Sequence, residues 1–495
     1  MTRPKGPLPE SAAGREFKRE LRLLDSTMIV IGSMIGSGIF IVSADIARTV
    51  GSPGYLLLVW LITGVITVIG ALSYGELAGM MPHAGGQYVY LREAYNPLVG
   101  FLYGWTLFLV IQTGTIAAVA VAFAKFAAVL IPELGPTTVL FSLGSFSVSS
   151  AQTVAIAVIV FLTAVNMLGL QTGKLVQDIF TVAKTAALLA LILLGIAVGR
   201  NAGAIGANLA AFWDAAWTRP ALEGGWAIEP LAGVGLLAAI GVAMVGSLFS
   251  SDAWNNITFT AAEVVNPRRT IPLALAFGTG AVTLLYLLAN IAYLAVLPLQ
   301  GTPEAAEVAG RGIQFATDDR VATAAASMIL GDMAALVMAV LIMISTFGCA
   351  NGLILAGARV TYAMARDRLF FAKVGTLNAR SVPSVALVAQ AVWASILCLS
   401  GTYGDLLDYV VFAVLIFYIL TVIGIFRLRR TRPEAERPYR ALGYPVLPAL
   451  YVVAATAICV DLLVMKPAYT WPGLIIVLMG LPVFMLWKRG LAPSD

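Results

Sequence analysis

The sequence predicts an all-α integral membrane protein of twelve spanning helices, two of them broken. Apolar residues make up 60% of the 495 positions while charged residues make up 12%, about half the share of a soluble domain. Apolar runs fall at 27–50, 54–81, 97–131, 151–169, 175–199, 232–261, 271–298, 326–363, 383–400, 405–426, 443–465 and 470–487, which are numbered here as spans 1 to 12. With the N-terminus inside, 22 of the 31 Lys and Arg residues fall on the cytoplasmic side. The positive-inside rule then puts both termini in the cytoplasm of a multi-pass plasma-membrane protein.

The first 26 residues are polar and charged and lack a short apolar core followed by a cleavage site, so they form a cytoplasmic tail and not a signal peptide. Span 1 contains Gly32-Ser33-Met34-Ile35-Gly36-Ser37-Gly38. Span 6 repeats the theme 214 residues later as Gly246-Ser247-Leu248-Phe249-Ser250-Ser251-Asp252. Gly weakens a helix and Ser diverts backbone hydrogen bonds, so each cluster marks either a mid-membrane break or close packing through small residues. Corresponding interruptions in two halves favour the break and point to a transporter site. Amides at Ser37, Gly38 and Ile39, where a half-helix restarts, would favour a carboxylate. Carbonyls around Met34 and near Phe249 would accept from an ammonium group. An α-amino acid satisfies both sets with no charged side chain on the protein.

Span 2 ends in a Pro-His-Ala-Gly-Gly turn, where His83, the one histidine, reads as a solvated loop residue. Lys184 lies ~10 residues, hence ~15 Å, into span 5, farther than a lysine stem snorkels, so its charge must be met inside the bundle or in a hydrated cavity. Asp252 in the span 6 break reads as a cap on a half-helix starting at Trp254-Asn255, as a proton-coupling carboxylate, as a partner for Arg or Lys, or as a contact to a cationic substrate. Glu76 and Glu263 sit near helix ends by Arg92 and Arg268-Arg269 and read as inner-gate locks. The basic cluster from Arg427 to Arg440 fits anionic lipid headgroups and needs no nucleic acid.

Several classes are excluded. Cysteines 349, 398 and 459 all lie within spans with no disulfide or metal-ligand spacing. No phosphate loop occurs, which removes direct ATP hydrolysis. No nucleophile, base and orienting group occur at useful spacing, so no enzyme activity and no cofactor or metal are expected.

Five segments carry a family resemblance: Asp25–Phe40 (DSTMIVIGSMIGSGIF), Tyr74–Tyr88 (YGELAGMMPHAGGQY), Val176–Lys184 (VQDIFTVAK), Phe249–Pro272 (FSSDAWNNITFTAAEVVNPRRTIP) and Arg432–Pro438 (RPEAERP). From about residue 18 to 440 the chain resembles the amino acid–polyamine–organocation superfamily, specifically its L-type amino-acid transporter branch and bacterial relatives. The resemblance implies a LeuT-type fold with a 5+5 inverted repeat: spans 1–5 over 27–199, spans 6–10 over 232–430, two further spans over 443–487, and a short tail over 488–495. It implies alternating-access transport of amino acids. Where sodium-coupled relatives bridge spans 1 and 8 with an ion, the resemblance implies that Lys184 reaches the span 1 break and Ser345-Thr346. Phe249 is implied as an aromatic gate, with Ser250 beside it. Gln112 and Thr113 of span 3, and Phe412, Val414 and Leu415 of span 10, are implied to face the substrate side chain or to be ordinary packing.

The function expected is sodium-independent exchange of neutral L-amino acids. Proton-coupled symport through Asp252 and a non-transporting amino-acid receptor stay open. Eukaryotic L-type light subunits attach to a heavy chain through a cysteine between spans 3 and 4. Residues 132–150 contain none, so the expected partners are the amino-acid substrate and the bilayer, without a disulfide-linked subunit.

Overall fold

A computed structural model describes residues 16–143, 146–221, 224–400 and 403–489. Most of the N-terminal tail, with Arg3, Lys5 and Arg15, and the chain after residue 489 lie outside the described residues. Among the described residues ten helices are long and apolar enough to cross a bilayer, and a bent pair, Leu23–Met34 and Gly38–Val50, raises the number to eleven. The expected ninth span forms an apolar helix, Ser384–Ser400, of 17 residues, at the short end of spanning length.

Span 1 bends by 43° between its two helices. Span 6 runs as a helix over Gly233–Ser250, loses its ladder, and restarts only at Asn256–Phe259. The break is longer than expected because Ala253 takes a left-handed φ of 64°, a conformation costly for a residue with a Cβ and incompatible with a continuing right-handed helix. Span 3, Pro97–Leu130, widens into a π-turn over Leu107–Ile111.

The spans pack so that spans 1, 5, 7 and 8 surround the first break: the half-helix Leu23–Met34 contacts Leu170–Ala197, Pro267–Val296 and Met333–Arg366. Their buried faces combine small and apolar residues with a few polar and charged ones such as Gln177, Lys184, Asn351 and Arg359, while outward faces carry exposed Leu, Val, Ile and Phe such as Phe161, Leu193 and Val464, the pattern of a bundle immersed in lipid. Connections on the side away from the Arg-rich face are not plain loops. The segment between spans 3 and 4 forms an antiparallel hairpin, Val139–Leu143 with Phe146–Ser149. A second hairpin pairs Ala216–Pro220 with Trp226–Pro230, and both satisfy backbone groups that loops would leave to water.

Candidate functional site

A break in a spanning helix frees carbonyls that lipid cannot satisfy. All five carbonyls from Gly32 to Gly36 find partners. Lys184 is buried, and its ammonium donates to the carbonyls of Gly32 and Ile35, each at 2.5 Å, and of Ser345 at 3.3 Å. These three contacts use the donor capacity of the ammonium in full. Ser345 Oγ donates to the Gly36 carbonyl at 2.8 Å, Cys349 Sγ lies 3.1 Å from the Ser33 carbonyl, and Tyr286 Oη lies 3.1 Å from the Met34 carbonyl.

Tyr286, on span 7, also lies 3.0 Å from the carbonyl of Ser250. Its single proton serves one carbonyl at a time, so one hydroxyl stands between the broken ends of both spans. The two breaks touch directly as well. A Cβ on Gly38 would strike the Ser250 hydroxyl and come to 2.8 Å of Ser250 Cβ, so this approach requires glycine. Gly38 and Ile39 open the second half-helix of span 1, and their amides are among those that a helix start leaves without intrahelical partners.

Asp252 does not cap the span 6 half-helix. That helix begins at Asn256 behind Asn255, which makes no side-chain cap, and Asp252 instead accepts a 2.6 Å hydrogen bond from Tyr418 of span 10. Asp252, Val414 and Tyr418 line two adjoining clefts of about 330 and 350 Å³; Gln112 and Leu353 join the first, and Leu415, Trp254 and Tyr451 the second. Gln112 donates to the Leu353 carbonyl at 2.8 Å, tying span 3 to span 8. Phe249 is half-buried at the end of the first span 6 helix.

Other side chains turn elsewhere. Thr346 bonds to Ile342 and Met343 on its own helix, whereas its neighbour Ser345 turns to span 1. Thr113 likewise satisfies Phe108 of the π-turn at 2.6 Å. Phe412 is buried in the core outside both clefts. His83 is exposed.

The gate carboxylates have partners other than those expected. Glu263 forms a buried fork with Arg359 of span 8, at 3.0 and 2.9 Å. Glu76 pairs with Arg429 at 2.9 and 2.6 Å and accepts from the Ala441 amide at 2.7 Å. Arg92 pairs with Asp367 and Glu93, and Arg268 with Glu436. Burial alone would raise the Glu93 carboxyl, but the hydrogen bond from Arg432 and the charge of Arg92 hold it below its ordinary value. The Arg-rich face is thus cross-tied between spans 2, 8 and 10 and the segments beside them.

Sequence reasoning missed Tyr286, Cys349 and Arg359 as functional positions. The signal for Tyr286 is a lone hydroxyl in the apolar run Leu284–Ala289, and for Arg359 an arginine inside a span; nothing in the sequence says which carbonyl or carboxylate each meets.

Comparison with known proteins identifies the family of the chain. Residues 21–484 match the amino acid permease family. The chain is 28% identical over 474 residues to the b(0,+)-type amino acid transporter 1 of Mus musculus, covering 95% of this chain and 88% of the relative. It is 30% identical over 484 residues to the large neutral amino acids transporter small subunit 2 of Homo sapiens, covering 97% and 82%.

Proposed function

The chain belongs to the amino acid permease family, and from that premise we propose that it is a sodium-independent exchanger of neutral L-amino acids in the plasma membrane, with both termini cytoplasmic and two five-span halves related by an inverted repeat. It is an amino-acid transporter. The observation that carries the finer reading is the Lys184 ammonium against the carbonyls of Gly32, Ile35 and Ser345. A tethered cation uses the oxygens that a mobile cation between spans 1 and 8 would need, so the charge is supplied without sodium.

In this reading the substrate carboxylate binds the amides of Ser37, Gly38 and Ile39 at the positive end of a half-helix. Its ammonium takes the carbonyls of Met34 and Ser250, displacing the Tyr286 hydroxyl between them. Its side chain projects toward the clefts lined by Gln112, Val414 and Asp252, with Phe249 closing over it. Exchange is the mode in this reading because a bound substrate bridges the two breaks, its ammonium replacing the Tyr286 hydroxyl and its carboxylate meeting the amides that open the second half-helix, so the spans reorganise with a substrate in place. The chain works without a disulfide-linked subunit. Counterflow of all twenty amino acids into proteoliposomes of the purified chain, with choline replacing sodium, tests the reading.

A second reading, proton-coupled symport, is favoured by one observation: Asp252, at the cleft, is a titratable group held by Tyr418. Concentrative uptake into empty vesicles driven by a pH step alone would favour it over exchange.

A further inference from the structure

Two arginines near the end of span 10 have no task in the gate. Span 10 ends at Thr431 on the Arg-rich face. Arg429 turns inward to Glu76, and Arg432 reaches Glu93 at 2.7 Å. Arg427 and Arg430 are exposed, and among the described residues neither has a carboxylate within ion-pair distance. They stand one turn apart, with Ile423 on the same stripe, at helical spacing. Arg427 lies over the ring of Tyr95, 5.3 Å from its centroid.

The stripe forms one wall of a cleft of about 1140 Å³ between spans 10 and 11, whose opposite wall is Ala449, Val452 and Val453. The cleft therefore has a cationic end at the Arg-rich membrane boundary and an apolar trough running toward the bilayer interior. Two guanidinium groups match the oxygens of a phosphate, which each can hold through a fork of donors. Apolar walls below them match an acyl chain. Neither half suits a peptide or a soluble anion: the trough faces lipid, and a free phosphate would leave it unfilled.

We propose that this cleft is a binding site for one anionic phospholipid, its headgroup phosphate on Arg427 and Arg430 and an acyl chain against Ile423, Val452 and Val453. The site borders the helix that carries Val414 and Tyr418 into the substrate cleft and Arg429 onto Glu76, so the bound lipid steadies span 10 from outside. The proposal rests on the membrane boundary and not on the transport reading, and its test reads binding without flux.

The purified, delipidated full chain in detergent is titrated with phosphatidylglycerol or with phosphatidylcholine of the same acyl chains and followed by native mass spectrometry. Phosphatidylglycerol should be retained as one tightly held molecule, roughly tenfold more tightly than phosphatidylcholine. Arg427→Gln with Arg430→Gln should erase that preference. Val453→Trp, which keeps both charges and fills the trough, should weaken retention as well, and it serves if the double variant misfolds. Arg268→Gln, on the same face but paired with Glu436, should change nothing. Unaltered retention by the double variant would overturn the proposal. So would unaltered retention by Val453→Trp, which would mean diffuse surface charge, or displacement of the lipid by inorganic phosphate.

Discussion

Lys184 and Ile35 meet across the bundle at 2.5 Å, ammonium to carbonyl, at the point where span 1 stops being a helix. The contact joins the tether of a fixed charge to the segment that must reorganise around a substrate. Lys184→Ala removes that charge, leaves the buried Gly32 carbonyl without its side-chain donor and leaves Ile35 only the longer 3.4 Å contact from Ser345 Oγ. The loss of charge-assisted hydrogen bonds of about 1.5–3 kcal/mol each should slow exchange by roughly tenfold or more, with the protein still folded by size-exclusion chromatography. Initial rates of radiolabelled amino-acid exchange check it.

Gly38 separates backbone recognition from side-chain selectivity. Because any Cβ there meets Ser250, Gly38→Val should weaken every substrate alike. Val414→Asn changes a cleft wall and should reorder preferences. A substrate panel on both variants, with amino-acid amides beside the free acids, distinguishes the two: amides should lose most affinity, because buried donors facing a weaker acceptor are costly. Equal binding of amides and acids would contradict carboxylate recognition by the helix end.

Tyr286→Phe keeps the edge-on ring contact with Trp60, whose centroid is 5.3 Å away, and deletes only the hydroxyl between Met34 and Ser250. The substrate-free protein should lose about 0.5–1.5 kcal/mol of stability. A substrate ammonium would supply the missing donor, so the rise in melting temperature on adding substrate should be larger in the Tyr286→Phe variant than in wild type. Thermal-shift assays with and without a transported amino acid check both changes.

The Glu263–Arg359 fork has both side chains only 2% exposed. Removing one partner strands a buried charge, so Glu263→Gln should destabilise by about 3–5 kcal/mol, whereas Glu263→Gln combined with Arg359→Met should recover much of the loss. Denaturation of the two variants in one detergent compares them. A double variant as unstable as the single one would mean that the fork matters for something other than charge neutralisation.

Much of this architecture is legible in the sequence because it follows from composition and local chemistry. The apolar runs mark most of the long helices to within about five residues, although the run read from residue 326 opens in a separate helix, Val321–Leu330, before the long helix Met333–Arg366 begins, and the paired Gly-Ser clusters locate both breaks. Lys184 stands out because no lysine can sit at that depth unpaired. Asp252 reads wrongly as a cap because the length of the span 6 break depends on the left-handed turn at Ala253, which no residue preference announces. Glu263 reads with its sequence neighbours Arg268 and Arg269, yet its partner Arg359 is 96 residues away, brought near only by the packing of span 8. Tyr286 reads in sequence as one more aromatic in an apolar run; its role comes from two carbonyls supplied by other spans.

The most direct test of the central claim, that a tethered ammonium replaces a mobile sodium ion, is counterflow of a neutral amino acid into proteoliposomes of the purified single chain, measured in sodium and again with choline in its place on both sides. Nearly equal initial rates in the two media are expected for wild type. A steep fall in choline would contradict the account.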